Sequence, residues 1–326
     1  MILVNDTRFD AHLLSNVIDD ERLTASVISR VSYDLPHPAP GSAPPVLRMS
    51  ADQPWTVALK ALDTPHGSME SDLPFMKGGV DLFLFGAARA PKRAPVRRME
   101  VRIEVGSFTR RALVTGARLW VRERGQLVPS DPEPFVEMPL TLSKAFGGVT
   151  TWDGLEVPFG PNPKGLGFNI DAKEAEGRLL PYLEEPDSPM TAWNDQPAVC
   201  GFGFCPMVNP ARFHAGVVLD DQHGMKELLP RLFNSAYPPM VAPSAFAGEA
   251  VRVEGVTADR SLAFTLPGSP FGVELTFGSK VAERLPTIEQ IGIEVEERRV
   301  FLTWRFSFRY TVRPREFRQA TIAARA

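Results

Sequence analysis

Cysteine is nearly absent: Cys200 and Cys205 are the only two in 326 residues. Two thiols cannot staple a chain of this size, which excludes a disulfide scaffold and leads us to expect a reducing compartment. Long apolar runs are missing too, and none approaches the ~18 residues of a membrane-crossing helix. Charge of one sign is missing, the formal net charge being −3, and with it the basic footprint of nucleic-acid binding. Met1-Ile2-Leu3-Val4 runs at once into Asn5, Asp6 and Arg8, giving neither the basic nor the apolar part of a secretion signal. The expectation is a soluble, cytoplasmic protein that engages no membrane and no nucleic acid.

Catalytic signatures are equally scarce. Gly-x-Ser-x-Gly does not occur, so the nucleophile elbow of an α/β-hydrolase has no support. Gly165-Leu-Gly167 and Gly201-Phe-Gly203 neither join a strand to a long helix nor lead into Gly-Lys-Ser/Thr, so tight turns explain them better than a phosphate loop. Cys200 and Cys205 lie five apart, with His214 and His223 downstream. That spacing sits at the edge of what zinc sites use, and the histidines miss the usual pattern, so small buried hydrophobes account for the thiols. Nothing local activates either thiol as a nucleophile. The acidic pairs Glu184-Glu185, Asp220-Asp221 and Glu296-Glu297 point apart on a strand, whereas glycoside hydrolysis needs carboxylates facing across a cleft. Glu184 suits a buried ion pair with Lys77 or Lys164, and Lys77, in the turn Pro74–Gly79, suits hydrogen bonds to loop carbonyls. No catalytic residue, metal or cofactor is expected.

Proline is what the chain has in excess, with 31 residues against a usual share of ~5%. Proline is excluded from helix interiors and central strands, so many short elements joined by fixed turns are expected, and a helical bundle is not. Thr24–Tyr33 alternates as a strand, and Pro36–Pro45 follows as a turn-rich connector. Val80–Phe85 is a strongly apolar run that suits a strand buried on both faces. Met99–Val105 alternates cleanly; residues 112–122 are its expected partner, with Gly106–Arg111 as the hairpin connection. The arginines of 89–98 read as a solvated face. Met225–Phe233 is the one helix candidate, interrupted at Pro230. Strand pairs then resume at Ala250–Val256 with Ser261–Leu266, and Phe271–Phe277 alternates. Ile291–Val295, the turn Glu296–Arg299 and the long run Val300–Tyr310 give the clearest hairpin.

These patterns define a mainly β chain: a sandwich or strongly bent antiparallel sheets, long ordered Pro/Gly-rich loops and little helix. It reads as one domain, with an alternative division into β subdomains at about 1–125 and 245–315 bridged by an irregular region, 126–244. Phe135–Pro186 dominates that region. Its Phe146, Trp152, Phe159 and Phe168 are residues a disordered linker lacks, so it is expected to pack onto the scaffold, and loops of this length are usually functional. Together with Pro197–Pro206 it is expected to lie near one face.

A family resemblance rests on these same residues. Asp72-Leu-Pro-Phe-Met-Lys-Gly-Gly-Val-Asp81, Arg89-Ala-Pro91, Phe135-Val-Glu-Met-Pro-Leu140 and Ala145-Phe-Gly-Gly148 carry its first half. Asn162-Pro-Lys-Gly-Leu-Gly-Phe168, Leu180-Pro-Tyr-Leu-Glu-Glu-Pro186, Gly201-Phe-Gly203, Gly248-Glu249 and Leu266-Pro-Gly268 carry the second. In order and spacing the chain resembles a family catalogued as a domain of unknown function in type VI secretion gene clusters. The resemblance implies a cytoplasmic, non-enzymatic adaptor or chaperone. Its partners would be a secreted effector, often with a PAAR-like tip domain, and the valine-glycine-repeat spike. It departs from the family pattern at Leu142-Ser-Lys144 and at Cys200 and Cys205. The resemblance points to partner-binding roles at Phe75, Lys77, Phe135, Phe146, Gly147, Gly148, Asn162, Gly165, Phe168, Glu184 and Phe202. A hydrolase acting on carbohydrate or lipid, and a structural component of the secretion machine, stand as alternatives.

Overall fold

The clearest alternating run in the sequence forms the middle of the largest sheet. In the computed structural model, which describes residues 1–17, 22–36, 42–220, 222, 224–258, 261–311 and 318–325, Arg299–Thr311 pairs antiparallel with Arg22–Asp34 over its whole length. Its other edge takes Thr287–Glu294 across the expected tight turn. Thr287–Glu294 in turn takes Val80–Phe85 as a parallel neighbour. The sheet therefore runs Ala11–Val17, Arg22–Asp34, Arg299–Thr311, Thr287–Glu294, Val80–Phe85, Val241–Ala242, and it is mixed where an antiparallel sheet was expected. Val80–Phe85 is buried at every position, the charged Asp81 included, because both faces of a sheet centre are covered.

Two further sheets pack around it. One runs Leu183–Glu184, Phe108–Thr115, Arg98–Val105, Ala250–Glu254, Leu262–Thr265; the other runs Ile2–Asp6, Arg318–Ala324, Phe271–Phe277, Lys280–Arg284. The chain is mainly β, with several mixed and antiparallel sheets, none of them closed. One large apolar core draws on all three sheets, from Phe9 and Val31 through Phe83, Ile103 and Phe264 to Ile322. A second, smaller core gathers Trp120, Phe146, Phe168, Ala175, Leu180 and Met190 beneath the irregular middle of the chain. That middle is ordered because short backbone ladders fix it at intervals. Glu137–Pro139 pairs with Ala87–Arg89, Phe146–Gly147 with Leu166–Gly167, and Leu183–Glu184 with the Phe108–Thr115 strand. No helix among the described residues is long and apolar enough to cross a membrane.

Several expectations are corrected. Met225–Phe233 is not a helix: Gly224–Leu228 is a strand paired with Val217–Asp220, and Pro230–Phe233 is a 3-10 turn. Pro230 would remove a hydrogen bond from a helix interior, while as the first residue of a new turn it costs nothing. The longest α-helix described is Pro210–Gly216, which begins where Asn209 caps the Ala211 N–H and Pro210 supplies a preset φ. The hairpin connection at Gly106–Arg111 shrinks to Gly106-Ser107, and 112–122 is two strands, Phe108–Thr115 and Trp120–Glu123. The connector Pro36–Pro45 falls largely outside the described residues, as do Asp221 and His223. Lys92 and Arg93 are exposed as expected, while Arg89 pairs with Glu296 at 2.8 Å.

Candidate functional site

The segment Asp72–Asp81 runs from a loop into the buried Val80–Phe85 strand. Gly79 makes the entry, with φ at +155° and its α-carbon so close to the Ala242 carbonyl that a Cβ would overlap it. Two residues later Asp81 is fully buried, an unusual place for a carboxylate. Its oxygens accept from Asn234 Nδ2 at 3.0 Å, from the Ser235 and Ala236 N–H groups at 3.1 Å, and from Ser235 Oγ at 3.0 Å. Lys77, four residues earlier, donates to it at 2.8 Å and reaches Glu289 at 3.1 Å. Glu289 stands where the register of Thr287–Glu294 shifts against Arg299–Thr311, and that bulge aims it at Lys77 and at Arg305, with which it also pairs.

Arg30 completes the network from the next strand. It donates to Thr303 Oγ1 at 2.9 Å, to Asp72 at 3.0 Å and to Gln290 Oε1 at 2.9 Å. Three cations, Arg30, Lys77 and Arg305, thus face three carboxylates, Asp72, Asp81 and Glu289, in the interior. Burial alone would raise the Asp81 carboxyl, but the Lys77 charge and its hydrogen bonds from Lys77, Ser235 and Asn234 hold it below the usual carboxylate range. Burial draws the Lys77 ammonium down, against the pull of Asp81 and Asp72, and draws Arg305 to about 10. Every one of these six charges has an oppositely charged partner within the network.

Above this floor lies a groove of about 450 Å³. Its rim is apolar: Met76, Phe246 and Leu285 are each more than half exposed, at 61%, 59% and 51%. Ile288 and Phe306 continue the apolar lining, and Lys77, Glu289 and Arg305 form its base. Large apolar side chains grouped at the mouth of a pre-formed groove mark a surface suited to apolar groups of another molecule.

None of the eleven positions implied by the resemblance is fully exposed. Phe75 stacks on Phe233 with ring centres 4.5 Å apart, beside Lys77. Phe202 is buried, and its carbonyl accepts from Leu84 N–H at 3.0 Å. Phe135 is half-buried in a bridge to Val96. Phe146, Gly147, Gly148, Asn162, Gly165 and Phe168 come together in the second core. Asn162 Nδ2 donates to the carbonyls of Leu142 at 2.8 Å and Phe146 at 3.0 Å. Gly147, at φ +146°, lies so close to the Asn162 carbonyl that no Cβ fits. Glu184 is in a buried ion pair, but with Arg118 at 2.6 Å instead of Lys77 or Lys164, and it accepts from Met190 N–H at 2.9 Å. Lys77 holds carboxylates where loop carbonyls were expected. The loops 135–186 and 197–206 meet at Arg110, which pairs with Glu185 and lies 3.6 Å from Cys200 Sγ.

Sequence reasoning missed Arg30, Glu289 and Arg305, since on a strand each reads as an ordinary solvent-facing residue. It also missed His66, whose ring stacks on Phe85 at 4.1 Å and whose Nε2 meets Glu294 at 2.9 Å. His66, Glu294 and Glu297 bring their ligand atoms within 4.8 Å. A cation there would have to displace the His66–Glu294 hydrogen bond and compete with Arg299, 3.5 Å from Glu294.

Cys200 and Cys205 are free and buried, and burial pushes both thiols up to about 12. Neither is expected to react with a thiol reagent at pH 8 until the chain is unfolded, when both should titrate. A native-state reaction of either would show an opening of the core that the fold does not contain. The sign for stability follows: an unfolded thiol ionises near pH ~8.5, so stability falls as pH rises from there towards 12.

The fold and groove thus define an open-sheet β protein with a pre-formed apolar groove set on a locked ionic floor. The chain belongs to the family described as "Uncharacterized protein conserved in bacteria (DUF2169)", whose model matches residues 20–305. Neither a curated protein nor a solved structure matches it.

Proposed function

We propose that this chain is a non-enzymatic, cytoplasmic adaptor that binds a secreted effector of a type VI system, or its PAAR-like tip protein, and promotes its loading onto the valine-glycine-repeat spike. The observation that carries the reading is the groove. Its apolar rim, Met76, Phe246 and Leu285, is open, while the charged side chains at its base are already paired with one another. Such a site supplies shape and desolvated apolar contact, which is how protein interfaces obtain most of their affinity. The family resemblance supplies the identity of the partners.

The test is co-purification of the tagged protein with the product of the adjacent gene, with and without the spike protein. A stable complex that dissolves when spike is added is the expected result. A protein that remains alone with every neighbouring gene product would overturn the reading. Within that complex, Phe246→Glu is expected to weaken binding by about 2 kcal/mol, roughly thirtyfold. Its melting temperature should be unchanged, because the side chain is 59% exposed and surface substitutions usually stay within about 0.5 kcal/mol. Equal binding by the variant would remove the groove from the interface.

A further inference from the structure

The hairpin formed by Val149–Trp152 and Leu155–Pro158 stands outside the groove and has its own unpartnered face. Its register pairs Thr150 with Val157 and Trp152 with Leu155. Side chains two apart on a strand share a face, so these four residues lie on one side. The inner pair is anchored: Thr150 is 1% exposed and Val157 packs on the second core. The outer pair continues the same face beyond the body, with Trp152 57% and Leu155 69% exposed. Of the five tryptophans, Trp55, Trp120 and Trp304 are buried and Trp193 is half-buried.

The hairpin is also held in shape. Asp153 and Gly154 at its tip have φ of +48° and +77°, the pattern of the tight turn that matches strand twist. At its base Phe159 N–H donates to the Gly148 carbonyl at 2.8 Å, and Gly148 N–H to the Asn162 carbonyl at 2.8 Å. The glycines and Asn162 of the second core therefore fix where Trp152 points. A rigid aromatic presented in this way loses little entropy on binding.

Charge states what the tip can meet. Asp153 sits in the turn between Trp152 and Leu155, and Glu156, paired with Thr151, points to the opposite face of the hairpin; both are exposed and have no ion-pair partner among the described residues. The two carboxylates make the protruding tip negative as a whole, which repels an anionic bilayer and favours a partner pocket that carries basic side chains. We propose that this hairpin is a second docking element, in which Trp152 and Leu155 enter an apolar pocket rimmed by Lys or Arg on the partner protein. The inference rests on the adaptor reading and specifies one of its contacts.

The test uses the full chain with the product of the adjacent gene. Trp152→Ser/Leu155→Ser is expected to retain about a tenth or less of the captured partner at an unchanged melting temperature. Glu156→Lys is expected to weaken capture several-fold at low salt and less at high salt. Binding should also shift the emission of Trp152 to the blue, a change absent from the double variant. Capture by the double variant equal to that of the unaltered chain overturns the hairpin and leaves the adaptor reading standing. No capture by the unaltered chain overturns both. A dimer of the unaltered chain that the double variant dissociates, or binding to phosphatidylglycerol vesicles instead of the protein, assigns a different occupant and overturns the proposal.

Discussion

Asp81→Ala is expected to lower the unfolding free energy by about 3–5 kcal/mol, the range for breaking a buried ion pair from one side. The substitution leaves the Lys77 ammonium facing Glu289 alone, already shared with Arg305. It also strands the Ser235 and Ala236 N–H groups, which have Asp81 as their acceptor, and one donor of the Asn234 amide, which keeps its bond to the Gly79 carbonyl. Urea unfolding followed by far-UV circular dichroism measures the loss. Lys77→Met/Asp81→Leu is the informative companion: removing both charges should return only part of the stability, because the Ser235 and Ala236 donors remain unanswered. Full recovery would show that the pair's mutual attraction, and not the docking of residues 234–236, is what Asp81 provides. The pH dependence has a definite sign. Asp81 is held below the usual carboxylate range when folded, so its contribution is present above about pH 4 and is lost as pH falls through the folded value.

Phe146→Ala is the second large effect, at about 3–5 kcal/mol for an aromatic removed from a packed core. Phe146 is 1% exposed and meets Phe159 edge-on at 4.9 Å. It lies in the small core with Trp120, Phe168 and Leu180, apart from the main one. The loss is therefore expected to be local first. Residues of 145–190 should gain hydrogen exchange and protease sensitivity while the large sheet stays protected. A fall in partner binding by this variant is then expected from displacement of the hairpin, and Trp152→Ser/Leu155→Ser, which removes the hairpin's apolar contacts at an unchanged melting temperature, measures how large that part is. Uniform exposure of the whole chain would instead show that the two cores unfold as one.

The strands were legible wherever one face is wet or both are dry over several residues. Met99–Val105, Phe271–Phe277 and Val300–Tyr310 alternate because one side meets solvent or a second layer, and Val80–Phe85 is apolar at every position but Asp81 because neither side meets solvent. Strand partners were not legible. Nothing local in Val80–Phe85 tells it to lie parallel to a segment some two hundred residues on, with Asp81 against Gln290. The helix at Pro210–Gly216 had its signal in Asn209-Pro210, but seven residues give too short a period to stand out. At the site, the position of the Asp72–Asp81 motif was legible and its role was not. Arg30 and Arg305 follow the alternation that elsewhere marks an outward face, and only the covering loop at residues 72–77 turns that face into an interior.

The parallel pairing has a consequence for the making of the protein. Val80–Phe85 leaves the ribosome as a six-residue strand, apolar at every position but Asp81, whose central neighbour, Thr287–Glu294, is not yet made. At ~5–20 residues per second, the wait is on the order of 10–40 s. Arg22–Asp34 waits longer still for its long-range partner, Arg299–Thr311. The largest sheet thus forms only after nearly the whole chain has emerged. A truncation anywhere before residue 299 is therefore expected to leave an aggregation-prone fragment and not a smaller folded protein.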